Sequence, residues 1–93
     1  MITSFACKKT EAVFRGQRGD RKWDSFLRVV ERKFKMVHAA AKLSDLKVPP
    51  NNRLEKLEGD RKSQLSIRIN VQWRVCFEWK DGHARNVEIC NYH

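Results

Sequence analysis

Arg68 and Arg74 occupy polar positions in two alternating segments, "LSIRIN" and "WRVCFEW", and Asn91, Tyr92 and His93 follow a third, "NVEIC". Guanidinium groups, an aromatic ring and an imidazole are the parts of an RNA-cleaving site. Attack of a ribose 2′-hydroxyl on the adjacent phosphate needs a base for its proton, cations for the charge growing on the phosphorane and an acid for the departing 5′-oxygen. Arg74 and Arg68 suit the phosphate, because a guanidinium forks onto two oxygens and keeps its charge. His93 suits proton transfer, since imidazole titrates near neutral pH. Tyr92 can stack on an exposed base of single-stranded RNA.

Glu55 and Glu58 lie in a basic stretch, "RLEKLEGDRK", that also carries Lys56, Arg61 and Lys62 as candidate RNA contacts. A glutamate acts as a base only where its surroundings favour the protonated form, and nearby arginines do the reverse. Glu55 is therefore read first as an ion-pair partner and second as a catalytic base. Plainer roles compete with the chemical ones: a solvent-exposed His93, a Tyr92 packed on a helix end, and an Arg74 paired with Glu78 or Glu88.

Placing these side chains together requires a sheet. Leu65, Ile67 and Ile69 alternate with Ser66, Arg68 and Asn70; Trp73, Val75, Phe77 and Trp79 with Arg74, Cys76 and Glu78; Val87 and Ile89 with Asn86, Glu88 and Cys90. Three strands with one apolar and one polar face predict an antiparallel meander with a helix on the apolar side. "NRLEKLEGD" supplies a fourth strand, with Leu54 and Leu57 turned inward. At "KDGH", a two-residue Asp81-Gly82 turn would pair Lys80 with His83 and Trp73 with Cys90, mixing the two faces. A three-residue Asp81-Gly82-His83 loop pairs Phe77 with Val87, Val75 with Ile89 and Arg74 with Cys90, and the alternation predicts this odd loop. Arg68, Arg74 and the end of the last strand then share the face that no helix covers.

The first half predicts the covering helices. "MITSFA" reads as a short strand, and "KKTEAVFRG" as a short Ala-Val-Phe helix preceded by Thr10 or Lys9 and closed by Gly16. Trp23, Phe26, Leu27, Val30, Phe34, Val37 and Ala41 recur at intervals of three and four, which puts them on one face of a long helix from Asp20, its N-cap, toward "VPPN". Asp24, Arg28, Glu31, Arg32 and Lys35 fall on the opposite face. The aromatic residues of this pattern, with Phe77 and Trp79, are core rather than a stacking platform.

With 93 residues the chain forms one domain, residues 1–93. No apolar run approaches the roughly 20 residues of a membrane-spanning helix. "MITSFACKKTE" has no basic stretch followed by an apolar core, so the expected location is the cytoplasm. Cys7, Cys76 and Cys90 lack metal-site spacing and are expected to be ordinary reduced thiols, with no cofactor implied. The 20 Lys and Arg exceed the 11 Asp and Glu by 9, and both halves of the chain are basic. Such a balance attracts polyanions, nucleic acid first, because each phosphate neutralised releases counterions; solubility or an acidic protein partner is the plainer, second reading.

The segments "RLEKLEGDRKSQLSIRINVQWRVCFEW" and "VEICNYH" resemble the HigB-like toxins of bacterial toxin–antitoxin modules, within the RelE/ParE superfamily. The family pattern falls on Arg53-Leu54, Leu57-Glu58-Gly59-Asp60, Ser66-Ile67-Arg68-Ile69, Trp73-Arg74-Val75-Cys76-Phe77 and Asn91-Tyr92-His93. The resemblance implies an α+β, RelE-like fold, an N-terminal strand and helices packed on one face of a curved antiparallel sheet. It also implies metal-independent cleavage of mRNA in the ribosomal A site, inhibition of translation, and a helix-turn-helix, HigA-like antitoxin. Arg74 matches the phosphate-stabilising arginine of the family, and Tyr92 and His93 its terminal catalytic pair. Asn91 stands where the family has an acidic residue, Glu55 where some members have a catalytic histidine, and Glu58 where some have a lysine. Two other functions fit the fold or the charge: a ParE-like inhibitor of DNA gyrase, and a non-catalytic basic module that binds RNA or a partner.

Overall fold

The computed structural model describes residues 1–61 and 63–91 of the chain. Four strands, β1 (Glu55–Lys56), β2 (Leu65–Arg68), β3 (Trp73–Lys80) and β4 (His83–Asn91), form one antiparallel sheet in sequential order. Two helices, α1 (Lys8–Phe14) and α2 (Leu27–Ala39), cover the sheet's apolar face. The α+β arrangement expected from the sequence is the one found. Ile67, Val75 and Phe77 from the strands and Val30, Phe34 and Val37 from α2 are buried in the shared core.

The N-terminal segment is less regular than the predicted strand. It meets β4 through isolated parallel bridges at Ile2–Ala84 and Phe5–Val87. The Ile2 N–H donates to Nδ1 of His38 at 3.1 Å, which ties the segment to α2. Helix α1 is capped by Cys7, whose sulfur accepts from the Thr10 N–H, so the helix begins earlier than Lys9 or Thr10. The buried Thr10 then receives the Ile89 N–H on Oγ1, pinning α1 to β4.

The single long helix predicted from Asp20 is split. Asp20 does cap, accepting from the Lys22 N–H at 2.9 Å, but residues Arg21–Phe26 wind as a 3-10 helix and α2 starts only at Leu27. Phe26 leaves the helical region at φ −127°, which lets its ring reach Trp73 while Trp23 stays buried. At the far end Ala40 is extended, so Ala41 is exposed rather than on the apolar stripe. Gly19 allows the close approach before this turn: a Cβ there would lie 2.6 Å from Val13 Cγ2 and 2.7 Å from the Lys9 carbonyl.

The β3–β4 hairpin corrects the predicted loop while keeping its consequence. The turn has two residues, Asp81 at φ +53° and Gly82 at φ +81°, and Lys80 pairs with His83. This mirror-image turn matches the right-handed strand twist, the physical reason it is preferred. The faces are restored by an irregularity between Cys76 and Glu78, where Asn86, at φ +52°, and Val87 occupy β4 beside Phe77. Beyond it Val75 pairs with Ile89 and Arg74 with Cys90, as the alternation required.

On the uncovered face Cys76 and Cys90 are joined as a disulfide, correcting the expectation of reduced thiols; their diagonal positions set the Cα atoms 6.5 Å apart, within bridging reach. Cys7 is a free thiol. Leu57 buries against this pair, a small second core beneath the polar face. No helix of the described residues is long and apolar enough to cross a membrane.

Candidate RNA-cleaving site

Strand pairing assembles the site. Glu55 faces Ser66 across β1–β2, while Arg68 faces Arg74 across β2–β3 and Arg74 faces Cys90 across β3–β4. Because side chains alternate along a strand, Glu55, Ser66, Arg68 and Arg74 emerge on one face. Arg74 is only 7% exposed, and its guanidinium is gripped on several sides. Nε donates to Ser66 Oγ at 2.7 Å, while Nη2 donates to the Arg53 carbonyl at 2.8 Å and pairs with Glu55 Oε1 at 2.8 Å. Charge-assisted bonds of this kind fix orientation as well as energy. The bond from Glu55 is the ion pair the sequence placed first among its roles.

The Arg53 carbonyl is available because the backbone turns sharply there. Arg53 sits in the left-handed region at φ +45°, after the single 3-10 turn Pro50–Asn52. The fully buried Asn52 anchors this turn, donating from Nδ2 to the Leu46 and Val48 carbonyls at 3.2 and 3.4 Å. Its Oδ1 accepts from Lys33 Nζ of α2 at 2.5 Å. A chain of contacts thus runs from the covering helix to the guanidinium of Arg74.

Above Arg74 lies an open cleft of about 340 Å³ bordered by Arg53, Glu55, Arg68, Asn70, Val71 and Arg74. It admits a phosphate and part of a nucleotide. Val71 stands 88% exposed on the rim. Of the ion pairs the sequence offered Arg74, Glu78 pairs with Arg85 and Glu88 with Arg61, each at 2.9 Å, and Arg74 pairs with Glu55 instead.

The remaining sequence candidates scatter. Asn91 is the last described residue, exposed and opposite Trp73, one step beyond the partner of Arg74. Tyr92, His93 and Lys62 lie outside the described residues. Lys56 pairs with Leu65 on the register row of Phe77, so it belongs to the other face, exposed at the sheet edge. Arg61 is committed to Glu88 and to Gln64 Oε1 at 2.9 Å. Glu58 is exposed. Among the described residues no three metal-ligating side chains converge.

Ser66, Asn52 and Lys33 were not singled out by the sequence reading, although Lys33 carried a signal. It follows Val30 by three and precedes Val37 by four, so a cation stands on the buried stripe of a helix.

Comparison with known proteins agrees with this architecture. A family model described as the RelE-like toxin of type II toxin–antitoxin system HigB matches residues 3–93. Toxin HigB-1 of Vibrio cholerae serotype O1 is 51% identical over 58 residues, 62% of this chain and 61% of that protein. An uncharacterized protein of Haemophilus influenzae is 35% identical over 62 residues, 67% of this chain and 61% of its own length. The chain thus spans about three fifths of the length of these relatives. Among solved structures, a point mutant of YafQ from E. coli superposes with a TM-score of 0.65 at 12% identity, covering 98% of this chain and 91% of that one. The YoeB–YefM complex from Staphylococcus aureus gives 0.60 at 14%, covering 100% and 98%. At such identities these structures speak for the fold.

Proposed function

The chain belongs to the HigB-like family of RelE-like toxins of type II toxin–antitoxin systems, and on that premise we propose that it is a cytoplasmic endoribonuclease that cuts mRNA on the ribosome and so halts translation. The observation that best supports this reading is the grip on Arg74, a permanent cation aimed at the floor of an open cleft by Ser66, the Arg53 carbonyl and Glu55. Preorganised charge of this kind stabilises a phosphorane because it need not reorient as charge develops.

In the proposed reaction the ribose 2′-oxygen attacks phosphorus and loses its proton, and the 5′-oxygen departs with a proton, leaving a 2′,3′-cyclic phosphate. Arg74 stabilises the phosphorane, and Arg68 holds a neighbouring oxygen. His93 and Tyr92 are assigned the proton transfers, with Asn91 orienting them by hydrogen bonds in place of a carboxylate. Glu55, engaged with Arg74, acts as its orienting partner. Side chains supply every role in this scheme, so it asks for no metal. The proposed partner is a helix-turn-helix, HigA-like antitoxin; among the fold neighbours the staphylococcal YoeB is solved with YefM.

The test is mRNA 5′-end mapping after brief induction in cells, comparing the wild-type chain with Arg74→Ala and His93→Ala. New ends inside translated frames that vanish in both variants are expected. Growth arrest without such ends would transfer the activity to gyrase or to stoichiometric blockage of the ribosome.

A further inference from the structure

A second cleft of about 390 Å³ opens beside the first, between α2 and the β2–β3 connection, bordered by Arg32, Lys33, Asn51, Arg68 and Asn70. Arg68 and Asn70 border both clefts, so the two lie side by side there. We propose that this second cleft is a phosphate subsite that holds the phosphodiester adjacent to the one bound at Arg74, so that one RNA strand runs from Arg74 over Arg68 to Arg32 and Lys33. The inference rests on the RNA-cleaving reading and specifies the path of its substrate.

Two independent observations carry it. The first is an uncompensated buried charge. Lys33 is 7% exposed, and its ammonium bonds only the neutral Asn52 amide oxygen; no carboxylate approaches it among the described residues. Buried cations are ordinarily paired with an anion, because desolvation is otherwise uncompensated. Burial, and then repulsion from Arg32, push the Lys33 ammonium below its ordinary proton affinity. An incoming phosphate would supply the missing counter-charge.

The second observation is the surrounding donor set. Arg32 and Arg68 also form no ion pair among the described residues, a state they share with Arg21, Arg28 and Arg53, but they alone of these five border this cleft. Asn51 and Asn70 add amide groups able to donate to phosphate oxygens or base edges. The lining therefore contains three cations and no carboxylate.

The test measures affinity of the intact protein for a fluorescent 2′-O-methyl hexanucleotide, which cannot be cleaved, as salt is varied. Arg32→Gln changes an exposed side chain and preserves the fold. Losing one single-strand phosphate contact lowers the log–log salt slope by about 0.7, equivalent to about an eightfold loss of affinity between roughly 1 M and 0.05 M salt. That loss is expected for Arg32→Gln, with little change for Lys35→Gln, an exposed cation of α2 that does not border this cleft. Equal losses in both variants would mean diffuse attraction and overturn the subsite. Absence of binding by the wild-type chain would also overturn it. Unchanged hexanucleotide affinity with weakened ribosome association would assign the cleft to the ribosome's own RNA, refuting the single-strand path. A selective Arg32 effect in a protein that makes no cuts in cells would retain the subsite and refute the nuclease instead.

Discussion

Ser66→Ala tests whether the orientation of Arg74 is built by the sheet. Ser66 is fully buried, and its hydroxyl accepts from Arg74 Nε at 2.7 Å. A hydrogen bond to a charged group contributes about 1.5–3 kcal/mol, but the guanidinium keeps its bonds to the Arg53 carbonyl and Glu55, so a loss of about 1–2 kcal/mol is expected. Unfolding entropy of about 2.1 cal/mol/K per residue over 93 residues gives roughly 0.2 kcal/mol/K, so Tm should fall by about 5–10 °C. Circular-dichroism melting reads this directly. Cutting, mapped well below the variant's Tm, should fall on the order of tenfold or more, because a guanidinium held through Nη2 but no longer through Nε meets the phosphorane less well placed. Unchanged melting and unchanged cutting would refute the argument. Lower Tm with full cutting would reduce Ser66 to a packing residue.

Arg74→Lys keeps the charge but loses the fork and Nε, so cutting should fall by about 10²–10³ while the fold persists; 5′-end mapping near wild-type level would show that charge alone suffices. Asn52→Ala removes the acceptor of Lys33 and the donor to two carbonyls, and urea unfolding should show a loss of about 2–4 kcal/mol. Gly19→Ala forces a Cβ against the Lys9 carbonyl, so its melting temperature should drop, whereas a Tm rise would place the loop away from α1. The backbone bond from Lys22 holds the Asp20 carboxyl below its ordinary pKa. A depressed carboxyl stabilises the fold above its unfolded pKa and loses that contribution as pH falls through the folded value. The Tm gap between wild type and Asp20→Ala should therefore be present at neutral pH and close as the pH falls below the ordinary carboxylate range; a constant gap would assign the effect to something other than ionised Asp20.

What was legible in the sequence was whatever period and register enforce. Alternation put Ser66, Arg68 and Arg74 on one face, and the requirement that apolar rows meet fixed Arg74 opposite Cys90 even though the turn was assigned the wrong length. Two local choices, a mirror-image Asp81-Gly82 turn and an extra residue near Asn86, cancel in the register, and periodicity sees only their sum. The break at Phe26 was hidden because 3-10 and α windings share nearly the same apolar spacing over six residues. The grip on Arg74 was hidden for a different reason. Its acceptor at Arg53 is a backbone carbonyl turned by a left-handed residue, and that residue is held by Asn52, which is held by Lys33, nineteen positions away on another element. No pattern in one segment encodes such a relay. Yet each member breaks a local rule: a cation on an apolar helix stripe, a buried amide in a proline turn, an arginine at positive φ. Residues that defy the period of their own element are where this fold spends its stability on positioning charge.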